Sequence, residues 1–549
     1  MAKMYFPQYA RGRDGIDIIP GESILEHVRR IGGVEIDSEC GGHGTCGKDI
    51  IRVEQGSSSL ENPTDVEKKI IPEDRRKLGQ RLACQAMIVK DTEDIIIFIP
   101  DFGKYTILTD TIETDVELQP SVFQKHDRVI YRSGEDFGLY RGKIYGLAVD
   151  VGTTTLVMQL VDLETGANIG QPMASKNPQI AYGNDVISRI GYTINHTDGL
   201  KELQESVING INKSITELEK ILESEEGSIT DNIYDIVAVG NSTMRSIFLG
   251  QNVHNLGVIP FEPSSKKAVI MKARELGLDV HPEAMVYGPP LIGGHAGADC
   301  LADIIATRLY QNKEISMIID IGTNGEIVIG NKNRIMTASC AAGGAYEGYQ
   351  IRCGVGAIEG AITQVKIDNG QLKYKTLGDK HPLGVCGSGV IDLLAELFKN
   401  NIMNERARIK ENYHLINTVS ISQDDINQLI IAKAGLRINQ DLLIKYYGTD
   451  LDSIHAIYLA GAFGNYMNID NAVTIGLLPD TNRDKFVRFG NGALAGARDM
   501  LLSQDRRKDA ERIALMVKHT KPNAVEGSDF QYMVAERMYF DKITLKTKD

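Results

Sequence analysis

Three cysteines in the first hundred residues, and two aspartates at the ends of apolar strands, are the side chains here best placed to do chemistry. Cys40 and Cys46 bracket the glycine-rich run CGGHGTC with five residues between them, and Cys84 follows in RLACQA. Clustered cysteines in a cytoplasmic chain read as metal ligands or reactive thiols before disulfides. Asp150 and Asp320 stand 170 residues apart in LAVDVGTTTLVMQLV and MIIDIGTNGEIVIG, each an apolar strand, Asp-x-Gly-Thr, then a second apolar strand. Such an aspartate is a hard oxygen ligand suited to Mg²⁺ or its bound water. The glycine lets the backbone come close, and the N–H and hydroxyl groups after it can donate to phosphate oxygens. One copy would be ordinary turn chemistry. Two facing copies would clamp the phosphates of a nucleotide from both sides.

The elements that must carry these residues change character along the chain. To about Pro100, short strand patterns (RDGIDIIP, DIIRVEQG, LACQAMIVK, DIIIFIP) alternate with one helix opened by Gly21-Glu22-Ser23, predicting a small sheet crossed by a helix. Residues 101–142 show no helical period and read as a linker with short ordered pieces. From Lys143, strands alternate with helices expected over 201–225, 296–310, 388–399 and 492–503, which argues for α/β layers. The expected domains are therefore 1–100, the linker 101–142, and two lobes at 143–312 and 313–549.

At 549 residues the chain exceeds a single core, and 42% hydrophobic with 24% charged residues is ordinary for a soluble protein. A net charge of −13 argues against nucleic acid as the main partner, because phosphate backbones demand a basic surface. No stretch approaches the ~20 apolar residues of a membrane helix. The start, MAKMYFPQYARGRDG, has no apolar core of a secretory signal. A cytoplasmic protein without membrane or nucleic-acid partners is expected.

DVGTTT and DIGTNGE resemble the two phosphate motifs of the acetate and sugar kinase, heat-shock chaperone and actin superfamily, and LAGAFGNYMN resembles its adenosine motif. The resemblance covers about residues 143–549 and implies a two-lobed, actin-like (RNase H-like) α/β ATPase fold binding ATP and Mg²⁺. Carried over by position, Asp150 and Asp320 become Mg²⁺-water ligands. Gly152, Thr153, Thr154 and Thr155, and Gly322, Thr323, Asn324 and Gly325, become the phosphate donors, with Gly461 and Gly464 supporting the adenosine. Asp299 or Glu326 is the candidate for positioning the attacking water.

The cysteine loop resembles that of a β-grasp, ferredoxin-like [2Fe–2S] domain with spacing Cys-x5-Cys-x2-Cys…Cys. The third ligand position, however, is Asp49. Either Asp49 ligates iron through oxygen beside Cys40, Cys46 and Cys84, or the cysteine is a natural loss or an engineered change that weakens the site. Cys300, Cys340, Cys353 and Cys386 read as core residues.

An iron–sulfur module joined to this ATPase resembles the reductive activators of corrinoid-dependent methyltransferases. Supporting segments are VAVGNSTM, TASCAAGGAYEG, VCGSGVIDLLAEL and YLAGAFGNYMNID. Gly343 and Gly344 of the second join the nucleotide-contacting set, although Gly344 stands where that family has proline, and GGHAG departs from its aromatic-Val-Gly turn. The resemblance implies ATP-dependent transfer of one electron to a corrinoid protein, returning inactive Co(II) to Co(I). A low-potential donor such as ferredoxin or flavodoxin would supply the electron, and a homodimer is left open. Ser339 is the candidate for meeting the corrinoid, against a structural turn near the phosphates. The alternatives are an activator of a radical dehydratase, a small-molecule kinase, and an ATPase scaffold with a vestigial iron–sulfur site.

Overall fold

The computed structural model describes residues 2–6, 15–31, 36, 38, 41–44, 49–71, 73–77, 79–98, 114, 116–183, 185–222, 228–322, 324–340, 344–346, 351, 353–416, 419–461, 464 and 466–540. The chain divides into two compact units, one of Met1–Gly103 with Pro178–Tyr192, the other of Lys104–Asn177 with Thr193–Asp549.

The smaller unit holds a mixed five-stranded sheet in the order Ile16–Asp17, Lys3–Tyr5, Ile95–Phe98, Ile50–Gln55, Gln80–Leu82, with Lys3–Tyr5 and Ile95–Phe98 parallel. Alternate strand residues Ile51, Val53, Ile95 and Ile97 turn inward to meet Ile24, Leu25 and Val28 of the helix Ile24–Ile31. Ser23 starts that helix with a capping box, accepting from the Glu26 N–H while the Glu26 carboxylate accepts from the Ser23 N–H. The segment LACQAMIVK was expected as a strand carrying Cys84, and here the structure differs. The strand ends at Leu82, whose carbonyl accepts from the N–H groups of Gln85 and Ala86, so Cys84 sits on a tight turn.

In the larger unit, part of the expected linker forms a three-stranded antiparallel sheet, Val122–Lys125, Arg128–Tyr131 and Asp136–Leu139. Two six-stranded sheets follow. The first runs Asn168–Lys176, Thr155–Asp162, Tyr145–Val151, Ile233–Val239, Met285–Gly288, Val269–Lys272; the second runs Phe486–Gly490, Ala456–Ala460, Ser316–Ile321, Gly325–Asn331, Arg334–Cys340, Lys518–Thr520. Each has an antiparallel hairpin carrying one Asp-x-Gly-Thr turn, flanked by a parallel strand, so the sequence repeat is a structural one. The helices Ala298–Thr307 and Gly492–Leu502 pack together through Leu301, Ala302, Ile305, Ala493, Ala497 and Leu501. The 25-residue helix Gln423–Tyr447, unforeseen in the sequence, is capped by Ser422 and closed by Gly448.

Candidate functional site

The two Asp-x-Gly-Thr turns hold their aspartates by strand pairing. Asp150 is the penultimate residue of its strand, opposite Val157, and Asp320 lies directly opposite Glu326. Glu326 in turn lies opposite Ser339. Directly paired residues share a sheet face, so Asp320, Glu326 and Ser339 form one row. Ser339 is thus on a strand beside the carboxylates and not on a turn.

The helix Ala298–Thr307 adds Asp299 and, four residues on, Asp303 on the same face. Asp303 is 1% exposed and Glu326 4%. Among the described residues, no hydrogen-bond donor reaches either Asp303 oxygen or Oε1 of Glu326. Desolvation pushes Asp150 up to about 6, opposed by the Asn491 hydrogen bond. It pushes Asp299 up to about 8, with repulsion from Asp150 and Asp320 adding. Burial and the charges of Asp299 and Asp320 push Asp303 and Glu326 well above the carboxylate range. Buried carboxylates this close are stable only with protons or a cation among them. Carboxylate oxygens are hard ligands of the kind Mg²⁺ takes, although these are not grouped in threes to hold an ion by themselves.

Three asparagines brace the first of these turns, and the sequence reading missed all of them. Asn491 Nδ2 donates to Asp150 Oδ2 at 2.9 Å, and Asn241 Nδ2 donates to Thr153 Oγ1 at 2.9 Å. Each also caps a helix, Asn491 through the Leu494 N–H and Asn241 through those of Thr243 and Met244. The available signal was a second repeat, strand–Gly–Asn–helix, at Gly240-Asn241 and Gly490-Asn491. Asn177 donates its N–H to the Thr154 carbonyl and its Nδ2 to the Gly152 carbonyl, both at 2.8 Å. Asp303 was also missed, since nothing in its local sequence separates it from a solvated helix position.

In the second turn the Gly322 N–H donates to the Asn324 carbonyl at 3.1 Å. Gly461 follows the strand Ala456–Ala460 with φ +85°, and a Cβ there would stand 2.6 Å from Asp320 Oδ1. Gly461 therefore passes against Asp320, and glycine is required for the approach. The Gly464 carbonyl accepts from Arg488 at 3.5 Å. Thr155 begins its strand, Gly325 pairs with Cys340, and Gly344 lies in a turn; Thr323 and Gly343 are outside the described residues.

In the smaller unit Cys40 and Cys46 also lie outside the described residues, but residues 41–44 of the loop between them and both remaining candidate ligands are described. Gly41, Gly42 and Gly44 all have positive φ, a conformation that turns successive N–H groups to one side. A Cβ on Gly42 would lie 3.8 Å from the Cys84 Cβ. Asp49 is fully buried, and its Oδ2 accepts from the Cys84 N–H at 2.7 Å. Asp49, Cys84 and the glycine loop thus converge on one spot, as a cluster site requires. Among the described residues no three His, Cys, Asp or Glu side chains are grouped to hold a metal by themselves.

Three family patterns match the chain in order. They are the 2Fe-2S iron-sulfur cluster binding domain over residues 13–89, the RACo middle region over 145–312, and the C-terminal domain of RACo, the ASKHA domain, over 314–547. The corrinoid activation enzyme RamQ of Eubacterium limosum is 35% identical over 416 residues, covering 70% of this chain and 69% of that protein. The [Co(II) methylated amine-specific corrinoid protein] reductase of Methanosarcina barkeri is 26% identical over 407 residues, 68% and 72% of the two chains. A solved structure described as a reductive activator for corrinoid, iron-sulfur protein superposes with TM-score 0.71 at 28% identity and covers 98% of each chain.

Proposed function

The chain belongs to the family of corrinoid activation enzymes, and from that premise we propose that it is an ATP-dependent activator that transfers one electron to a corrinoid protein, reducing inactive Co(II) to Co(I). The observation that carries this reading is the pairing, in one chain, of half-buried aspartates on two Asp-x-Gly-Thr hairpins, Asp320 in a row with the buried Glu326, with a glycine loop folded near Asp49 and Cys84.

ATP hydrolysis is part of the proposal. Asp150 and Asp320 would hold Mg²⁺ through its water. Gly152–Thr155 and Gly322–Gly325 would bind phosphates, and Gly461 with Gly464 would lie under the adenosine. Asp299 and Glu326 face the same row, and either would orient the attacking water. Burial and neighbouring carboxylates raise the proton affinity of both, and a bound cation would favour their ionised, proton-accepting form. Gly343 and Gly344 complete the proposed nucleotide set.

A [2Fe–2S] cluster, when bound, supplies a one-electron carrier, and Cys40, Cys46, Asp49 and Cys84 would hold it. Asp49 would be a harder ligand than thiolate, and its hydrogen bond from the Cys84 N–H, which holds it beside that cysteine, supports the reading. ATP has an energetic reason to take part. A plant-type cluster lies near about −400 mV, and for one electron each ~59 mV uphill costs ~1.4 kcal/mol. A gap of about 200 mV to the corrinoid would cost roughly 4.7 kcal/mol on that scale. Closure of the two lobes on nucleotide, a hinge motion, would drive docking and release of the corrinoid protein and offset that cost. Ser339, in the row with Glu326, remains the proposed point of contact with the corrinoid. The proposed donor is a low-potential ferredoxin or flavodoxin, and the setting is the cytoplasm. No described helix is long and apolar enough to cross a membrane.

Anaerobic reconstitution, iron and sulfide analysis, and EPR of the reduced protein test the redox half. Two irons per chain with a rhombic signal are expected. No cluster in this chain, with one appearing in Asp49→Cys, would reduce the protein to an ATPase with a disabled redox arm.

A further inference from the structure

Within the smaller unit, Cys84 is approached at two of its atoms. Its N–H donates to Asp49 Oδ2 at 2.7 Å, and its Sγ accepts from Gln85 Nε2 at 3.8 Å, within reach for an acceptor as large as sulfur. Cys84 is buried, so water competes little for that sulfur. The Gln85 amide also lies against Gly44 of the glycine loop, where a Cβ would stand 2.7 Å from Nε2. Gly44 has φ +73°, and the amide occupies the space that its missing side chain leaves.

A glutamine can turn either its NH₂ group or its oxygen to a neighbour, and the surrounding hydrogen bonds decide which. Here Thr64 decides. Its Oγ1 donates to Gln85 Oε1 at 3.5 Å, which leaves Nε2 to face Cys84. The same Oγ1 accepts from the Glu67 N–H at 3.2 Å, so its own proton is available to Gln85. Glu67 is fixed in turn, accepting from the Thr64 N–H at 2.8 Å, from Arg81 at 2.7 and 3.1 Å, and from the Leu82 N–H at 3.1 Å. A buried ion pair thus orients, through Thr64, the amide that donates to the sulfur.

We propose that Gln85 is a positioning residue of the redox site that raises the reduction potential of a [2Fe–2S] cluster by donating to the Cys84 sulfur, with Thr64 aiming its amide. The inference rests on the reading of Cys84 as a cluster ligand. A reduced cluster carries one more negative charge than an oxidised one. A donor at a ligand sulfur therefore stabilises the reduced form more, and hydrogen bonds to the sulfurs are among the terms that set cluster potentials. Such a cluster takes its electron more readily from the donor. It leaves the onward step to Co(II) more uphill, and that is the step the proposed ATP chemistry serves.

The test is anaerobic reconstitution of the full chain and of Gln85→Met, with iron and sulfide analysis and an EPR-monitored redox titration. Methionine keeps the length of the side chain and lacks the donor. Both chains are expected to hold two irons. Poised at the midpoint of the unaltered chain, Gln85→Met should show an oxidised-to-reduced ratio about tenfold higher, a midpoint lower by ~59 mV for one electron. Thr64→Val removes the hydroxyl and should move the midpoint the same way by less. The helix cap lost with it costs stability, which a potential does not read. Thr64→Ser keeps the hydroxyl and should restore the original midpoint. A Gln85→Met midpoint equal to or above that of the unaltered chain overturns the role of Gln85 and leaves the cluster reading standing. No cluster in the unaltered chain overturns both. Should Gln85→Met assemble no cluster, the Thr64→Val midpoint decides, and an unchanged value overturns the role of Gln85.

Discussion

Glu67 in the smaller unit and Asp303 in the larger are equally buried carboxylates, yet they have opposite environments. Glu67, 0% exposed, accepts from Arg81 at 2.7 and 3.1 Å, from the Leu82 N–H and from the Thr64 N–H. Burial alone would raise its pKa, but these donors, Arg81 foremost, bring it below the ordinary value. Among the described residues no donor reaches Asp303, so burial raises it and neighbouring carboxylates push it up further. A satisfied buried carboxylate holds a fold together. A buried carboxylate whose neighbours are other carboxylates costs stability, and such groups cluster at functional sites.

The contrast can be broken at several points. Glu67→Ala strands a buried guanidinium and is expected to destabilise the smaller unit by about 3–5 kcal/mol. Urea unfolding, with cluster retention as a second readout, measures it. Asp320→Asn removes the charge proposed to hold Mg²⁺ through its water and is expected to lower ATPase turnover about 100-fold, ~2.7 kcal/mol of transition-state stabilisation. It should leave the melting temperature of the nucleotide-free chain unchanged or higher.

The pH response should have opposite signs in the two units. Glu67 is lowered, so its contribution is present above its ordinary value of 4.5 and lost as pH falls through the folded-state value. Asp150 and Asp299 are raised to about 6 and about 8, so without a bound cation the larger unit loses stability as pH climbs from about 4 toward those values. The slope is about 1.4 kcal/mol per pH unit for each group still holding its proton. Calorimetry on the Mg²⁺-free chain from pH 5 to 8 should show this fall. Asp303→Asn should raise the melting temperature more at pH 8 than at pH 5.

The smallest effect belongs to Asn491→Ala, which removes a helix cap and the hydrogen bond to Asp150. It should cost about 1 kcal/mol of stability and lower nucleotide affinity several-fold, readable by titration calorimetry.

The paired phosphate-type turns were legible because an aspartate at the end of an apolar strand followed by Gly-Thr is a local pattern, and its duplication is visible without a fold. The cysteine loop was legible from spacing and glycine content, and the departure at Asp49 showed there too. Asn177, Asn241, Asn491 and Asp303 were not, because each acts on a residue distant in sequence. Only the Gly-Asn steps after two strands hinted at two of them. Cys84 was misplaced onto a strand because β-branched periodicity in LACQAMIVK says nothing of the Leu82 carbonyl that closes a turn there.

The most direct test of coupled nucleotide and electron chemistry is to mix the reconstituted chain, a low-potential reductant and a Co(II) corrinoid protein, and follow the Co(II) EPR signal with and without MgATP. Loss of that signal only when MgATP is present is the predicted result. Loss at the same rate without nucleotide, or ATP hydrolysis that leaves the signal untouched, would contradict it.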